Sequence, residues 1–243
     1  MSGMTGMSVW HEIAGFVSIL RDGWIVTKKD LRVELRSKEI LLTTAYFGFL
    51  VVLVFSFSFF HGDAPIPAVA AGILWVALAF AGTLGLGRVF EREREGDCIR
   101  ALLLTPIARP SLFLGKALGV FLFMLVVEAV VVPAVFFFFN LPITGDRATK
   151  LALVLLLGTV GYSVIGTLLA SMLLRAQAKD VLLTIVLYPV VLPLLIVGVK
   201  ATAALFDLAG ELSDFSVWLR VLVAFDVVFL VVSLWIFEPI LVD

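Results

Sequence analysis

One cysteine, two histidines and a shortage of charge set the first limits on what this chain can build. Cys98 alone excludes an internal disulfide framework and any multi-cysteine metal site. His11 and His61 are too few for a histidine-based metal or haem cage within one chain. Charged residues make up 15% of the 243, against about 25% in a soluble domain. No soluble fold hides the apolar surface of a chain that is 62% hydrophobic, so the fold class is an all-α polytopic membrane protein. The first 27 residues lack the continuous apolar core of a signal peptide, and no cleavage is expected. The chain also has no G-x-x-x-x-G-K-[ST] phosphate loop. Gly82, Gly85 and Gly87 form a glycine cluster in an apolar run, without the lysine. The chain is therefore not expected to be an enzyme on its own, and no nucleic-acid partner is expected.

What the sequence has in abundance is long apolar runs. A helix needs roughly 20 apolar residues to cross the hydrocarbon. Six segments qualify, at about Ile40–Phe60, Pro67–Gly87, Leu112–Phe139, Leu151–Leu174, Val181–Val199 and Val217–Phe237. Pro133 offers a kink in the long third segment, and Pro189 and Pro193 predict that the fifth is bent or locally unwound. Lysine and arginine are distributed unevenly. Fourteen of the 18 fall before the first segment, between the second and third or just inside the start of the third, or between the fourth and fifth. Only Arg147, Lys150, Lys200 and Arg220 fall on the other side. Basic loops stay in the cytoplasm, so both termini are expected there, with six spans between them.

Three non-spanning stretches show helical spacing. Trp10, Ile13, Val17, Leu20 and Trp24 form one apolar stripe, read as an amphipathic leader (residues 1–27) lying at the membrane interface, or as a poorly ordered leader. Lys28, Arg32 and Arg36 recur every four residues just before the first span, with Leu31 and Leu35 on the neighbouring face. That pattern describes a basic elbow helix, residues 28–39, along the inner leaflet, or a topology signal alone. Outside, Leu205, Leu208, Leu212 and Phe215 make an apolar stripe beside the acidic Asp207, Glu211 and Asp214. A short helix dipping into the outer interface, or plain loop, fits that pattern.

Charge is densest between the second and third spans, in RVFEREREGDCIRALLLTPIARP (residues 88–110). The span is expected to end near Gly87, where the Glu-Arg alternation keeps the chain in water. Gly96 breaks that pattern and Asp97 is a good N-cap for a new helix. Ile99, Leu102 and Leu103 share one face of it, and Pro106 ends it after about two turns. A helix that short is unstable alone in water and needs a surface, either the bilayer or a partner protein.

Two carboxylates, Glu128 and Asp226, lie within spans, where an ionised group costs about 2.5–3.5 kcal/mol at mid-bilayer. Neither is expected to face lipid. They line an outer cavity and sense a proton or a cationic partner, or they are hydrogen-bonded acids that hold helices together. Lys116, near the inner end of the third span, is expected to snorkel toward water.

The run GILWVALAFAGTLGLGRVFEREREGDCIRALLLTPIARPSLFLGK (residues 72–116) resembles CcmB, the permease family of the bacterial cytochrome c maturation system. Gly72, Trp75, Val76, Ala77, Arg88, Phe90, Glu95, Gly96, Leu103, Pro106 and Lys116 carry the likeness, and the elbow KDLRVELRSKE (residues 29–39) adds to it. The leader to Thr27 is extra, and Cys98, Ile99 and Arg100 replace the family's usual small-Leu-Glu. The resemblance implies a short-loop ABC exporter permease fold in the bacterial inner membrane. It implies that Glu95, Gly96, Asp97, Ile99, Leu102, Leu103 and Pro106 couple the permease to a cytoplasmic ATP-binding cassette subunit, which binds the ATP. It further implies a second permease copy, a haem-handling membrane subunit and a periplasmic haem chaperone. Haem is then the possible substrate rather than a bound cofactor. The runner-up is an ABC exporter for a lipid, glycan or drug. A proton-coupled secondary carrier using Glu128 and Asp226 is the alternative of a different class, although the internal repeats such carriers often show are not evident here.

Overall fold

The computed structural model describes residues 18–19, 21–32, 38–59, 66–95, 108–141, 144–173, 176, 178–207 and 215–240. Among these residues the chain is helical throughout, with no strand. A short helix α1, residues 21–32, is followed by α2 (Glu39–Phe59), α3 (Ile66–Glu95), α4 (Arg109–Phe139), α5 (Gly145–Met172), α6 (Lys179–Phe206) and α7 (Phe215–Ile240). Helices α2 to α7 are each long and apolar enough to cross a membrane. The chain is a polytopic membrane protein, with six such spans among the described residues.

The helices start and stop for local reasons. Pro110 sits in the first turn of α4, where its missing N–H breaks no bond. Asn140 closes that helix in the left-handed conformation, which asparagine tolerates. Arg147, in the first turns of α5, donates from Nη1 to the carbonyls of Leu205 (3.1 Å) and Asp207 (2.6 Å). A cation there satisfies orphan carbonyls at the end of α6 and complements its dipole.

Three helix ends lie well beyond the expected spans; α5 begins at Gly145, six residues before Leu151. Helix α3 does not stop at Gly87; its membrane-spanning part does, but the helix runs on to Glu95. Arginine and glutamate are good helix formers, and leaving hydrocarbon gives them no reason to unwind. The charged stretch 88–95 is therefore a helical extension, and Arg109 and Pro110 already belong to α4. Helix α6 is continuous through Pro189 and Pro193 and reaches Phe206, so neither proline unwinds it locally. Leu205 belongs to the end of α6 and Phe215 to the start of α7, both buried; Leu208, Glu211, Leu212 and Asp214 lie outside the described residues.

Helices α3 and α5 form the centre of the bundle and are the most buried spans, whereas α2 and α7 are the most exposed. Helix α3 packs against α2, α4 and α6, and α5 packs against α4, α6 and α7. Small residues let the central pair sit close to their neighbours. Ala70, Ala71, Ala77 and Ala81 of α3 are fully buried, and Gly166 of α5 faces Leu86 so closely that a Cβ there would strike its Cδ1. The smaller cluster of Phe113, Val164, Leu168 and Phe237 joins the N-terminal end of α4 to the C-terminal halves of α5 and α7.

Candidate functional site: a polar girdle around one turn of α5

Residues 158 to 162 of α5 meet four neighbouring helices in little more than one turn. Adjacent positions on a helix point about 100° apart, so this turn looks outward in several directions at one depth. Toward α3 and α6, Gly158 admits the indole of Trp75; a Cβ on Gly158 would collide with its Cη2. A Cβ on Gly198 of α6 would lie 2.6 Å from the same ring. The Trp75 indole N–H donates to Thr202 Oγ1 at 2.9 Å, so the buried side chain loses no hydrogen bond.

Toward α4, Thr159 donates its hydroxyl proton to Glu128 Oε1, and both side chains are buried. Two positions on, Gly161 looks the opposite way. A Cβ there would collide with Oδ1 of Asp226, from α7, and with Leu194 of α6. Asp226 is buried, and neither of its oxygens has a hydrogen-bond partner among the described residues. Glu128 stands eleven residues before the C-terminal end of α4 and Asp226 eleven residues after the N-terminal start of α7, about 16 Å at 1.5 Å per residue. The two intramembrane acids therefore bracket α5 on opposite faces at one level.

Tyr162 completes the girdle. Its hydroxyl donates to the carbonyl of Ala79 at 3.0 Å and lies 3.0 Å from Thr83 Oγ1, which also reaches that carbonyl at 2.8 Å. Tyr188 of α6 stands 3.4 Å from the same threonine, with its ring tilted against Phe80. Chemically, the arrangement offers hydroxyls and carboxyls as hydrogen-bonding partners between helices. No group of three His, Cys, Asp or Glu side chains suited to a metal is present among the described residues.

Few of the other residues singled out in the sequence are among the described residues. Lys28 and Arg32 are exposed on α1; Arg36 lies outside the described residues. Glu95 is the last residue of α3, and Gly96, Asp97, Ile99, Leu102, Leu103 and Pro106 lie outside the described residues. So do Trp10, Ile13, Val17 and Leu20 of the amphipathic stripe, while Trp24 sits exposed on α1. Helix α1 runs unbroken across positions 27 and 28.

Lys116 departs from expectation. It does not snorkel: its side chain is 6% exposed and its ammonium lies 2.5 Å from Asp30 Oδ2 of α1. Beside this pair, Thr27 Oγ1 reaches the carbonyl of Gly115 at 2.8 Å and that of Gly23 at 3.0 Å. Sequence reading passed over Thr27, Asp30 and Gly115, although Gly23 and Thr27 carry a small-xxx-small spacing and Gly115 adjoins the lysine.

The family model of CcmB protein matches residues 22–239. The chain is similar to Heme exporter protein B of Bradyrhizobium diazoefficiens, with 26% identity over 206 residues, 85% of this chain and 90% of that one. Heme exporter protein B of Pseudomonas aeruginosa is 26% identical over 180 residues, 74% of this chain and 80% of the relative. For Heme exporter protein B of Escherichia coli (strain K12) the match is 27% over 96 residues, 40% of this chain and 44% of the relative. In that last case the match spans less than half of the relative's length.

Proposed function

The chain belongs to the CcmB protein family, and from that premise we propose that it is the membrane permease subunit of an ABC-type transporter serving cytochrome c biogenesis. The observation that carries this reading is the family match over residues 22–239, which takes in all six spans and the charged segment between α3 and α4. Haem export is the activity named in the relatives. In this chain haem is the proposed substrate, moved through the permease or handed on when ATP use releases a loaded haem chaperone.

In the proposed mechanism the ATP is bound and hydrolysed by a cytoplasmic partner subunit. The stretch Glu95, Gly96, Asp97, Ile99, Leu102, Leu103 and Pro106 docks into that partner and passes its movement to α3 and α4, the two helices it joins. Lys28, Arg32 and Arg36 hold the elbow against anionic lipid on the inner leaflet. Two permease copies pair in the inner membrane, with both termini in the cytoplasm, beside a haem-handling membrane subunit and a periplasmic haem chaperone. Glu128 supports helix cohesion in this reading, since its carboxyl already has a partner on α5. Asp226, with none among the described residues, is the better placed of the two to meet a group from outside the chain.

The test is recovery from native membranes. Tagged permease is expected to bring down an ATP-binding cassette subunit, and deletion of the gene is expected to abolish c-type cytochromes. Normal cytochromes in the deletion strain, or a permease recovered without an ATPase, would overturn the reading.

A further inference from the structure

Helix α1 does not rest loosely beside the bundle. It presents Gly23, Val26, Thr27 and Asp30, at i, i+3, i+4 and i+7, to the first two turns of α4, and Trp24, Ile25, Lys28 and Lys29 face away. Gly23 and Gly115 bring the two backbones nearly into contact. A Cβ on Gly115 would lie 2.6 Å from the Gly23 carbonyl oxygen and 2.9 Å from Cβ of Val26. A Cβ on Gly23 would lie 3.1 Å from the Ser111 carbonyl oxygen. Across this close approach run the Thr27 hydroxyl bond to Gly115 and the Lys116–Asp30 ion pair, with Lys29 also 3.2 Å from Asp30.

An exposed ion pair would contribute little, but this one is not exposed. Lys116 is withdrawn from water, so pulling Asp30 away would break a close ion pair of a buried ammonium. The threonine works in the same direction, because separation would take away the hydroxyl's contact with Gly115. Sliding is resisted by glycine backbones that allow only one close register. Contact, charge and hydrogen bonding therefore favour a single arrangement of the two helices.

This contact sits at the start of α4, immediately after the charged segment that the proposed function assigns to the ATPase. We infer that Thr27, Asp30, Gly115 and Lys116 form a clamp that makes α1 and the base of α4 one moving body, so that force applied ahead of α4 is passed to α1. Thr27, Asp30 and Lys116 are positioning residues in this inference, which rests on the ABC permease reading.

Three single variants in the full chain test it: Thr27→Val, Thr27→Ser and Lys116→Met. Four quantities are read for each: membrane abundance, ATPase recovered by the tagged permease, ATP hydrolysis by the recovered complex, and c-type cytochrome formed. The valine and methionine variants should match the wild type in the first three within about twofold, while cytochrome formation falls about tenfold, as loss of a coupling energy requires. Thr27→Ser, which keeps the hydroxyl, should restore it.

Cytochrome formation within about twofold of wild type in both variants would overturn the clamp, as would a serine variant no better than valine. Loss of cytochrome in step with membrane abundance would make the contact structural only. If Lys116→Met does not accumulate, the two Thr27 variants, valine with two methyl groups and serine with one hydroxyl, decide the matter. If the wild-type permease itself recovers no ATPase, the function reading fails before any variant is compared, and the clamp's role falls with it.

Discussion

Trp75 and Gly158 share one space: the indole ring of α3 stands where a Cβ on that glycine of α5 would be. Gly198 of α6 closes on the same ring, and Thr202 takes its N–H. Gly158→Ala is expected to destabilise the protein by about 1–3 kcal/mol, because three helices must part to admit one methyl group. Gly72→Ala is the control. It lies on the same helix as Trp75 with nothing within 4 Å of its Cβ position. Alanine there should be neutral or stabilising by about 0.5–1 kcal/mol, the helix-propensity gain. Heating the detergent-solubilised variants and measuring the fraction still monodisperse checks both. Equal behaviour of the two variants would mean the ring is not gripped.

Glu128 and Thr159 make a prediction about chemistry rather than shape. If the carboxyl serves as a hydrogen-bond partner, Glu128→Gln keeps the contact with Thr159 and should leave abundance and cytochrome formation unchanged. Glu128→Ala leaves the threonine hydroxyl without this partner and opens a cavity, at a cost of about 2–5 kcal/mol. Thr159→Val should cost about 1–3 kcal/mol, since it strands the buried acid. Immunoblotting of membranes and haem staining separate the effects. A glutamine variant that is abundant but forms no c-type cytochrome would assign the acid a functional role.

Hydrophobic periodicity located the six spans to within a few residues at most ends, since hydrocarbon imposes a length that sequence shows directly. It missed the start of α5 at Gly145 and the end of α6 at Phe206; the second span does end at Gly87, but its helix runs on to Glu95, because leaving the apolar phase and leaving the helix are different events. The girdle was legible only in part. Glu128 and Asp226 stand out as charges in apolar runs, but their partners Thr159 and Gly161 do not, because small residues acquire meaning only through what approaches them. The same is true of Trp75, marked by resemblance alone until its two glycines and Thr202 came together from distant parts of the chain. Lys116 was misread for a physical reason: snorkelling is the default for a lysine near a membrane surface, and only the docking of α1 supplies Asp30 as a better partner.

Charge asymmetry yields a topology prediction. A reporter fused after Asp243 should be cytoplasmic, and one inserted at Gly62 or Gly145 should be periplasmic. Alkaline phosphatase activity and fluorescence of a cytoplasmic reporter distinguish the two sides. A periplasmic carboxyl terminus would require an odd number of spans and would end the permease reading.

The charged segment supplies the sharpest test of partnership. The short helix that the sequence predicts, with Ile99, Leu102 and Leu103 on one face, can bury that face in lipid or in a groove of the ATPase. Leu102→Asp penalises both and decides nothing. Leu102→Trp separates them, because tryptophan is favoured at headgroup depth, and interfacial lipid should accept it. A groove shaped for leucine should reject it, since overpacking costs about 1–3 kcal/mol, roughly 5- to 150-fold in affinity. The variant is therefore expected to insert at wild-type abundance, to recover less ATPase in a detergent pull-down, and to lose cytochrome c maturation. Wild-type recovery of the ATPase by the tryptophan variant would put the helix on lipid and reduce the surrounding charges to a topology signal.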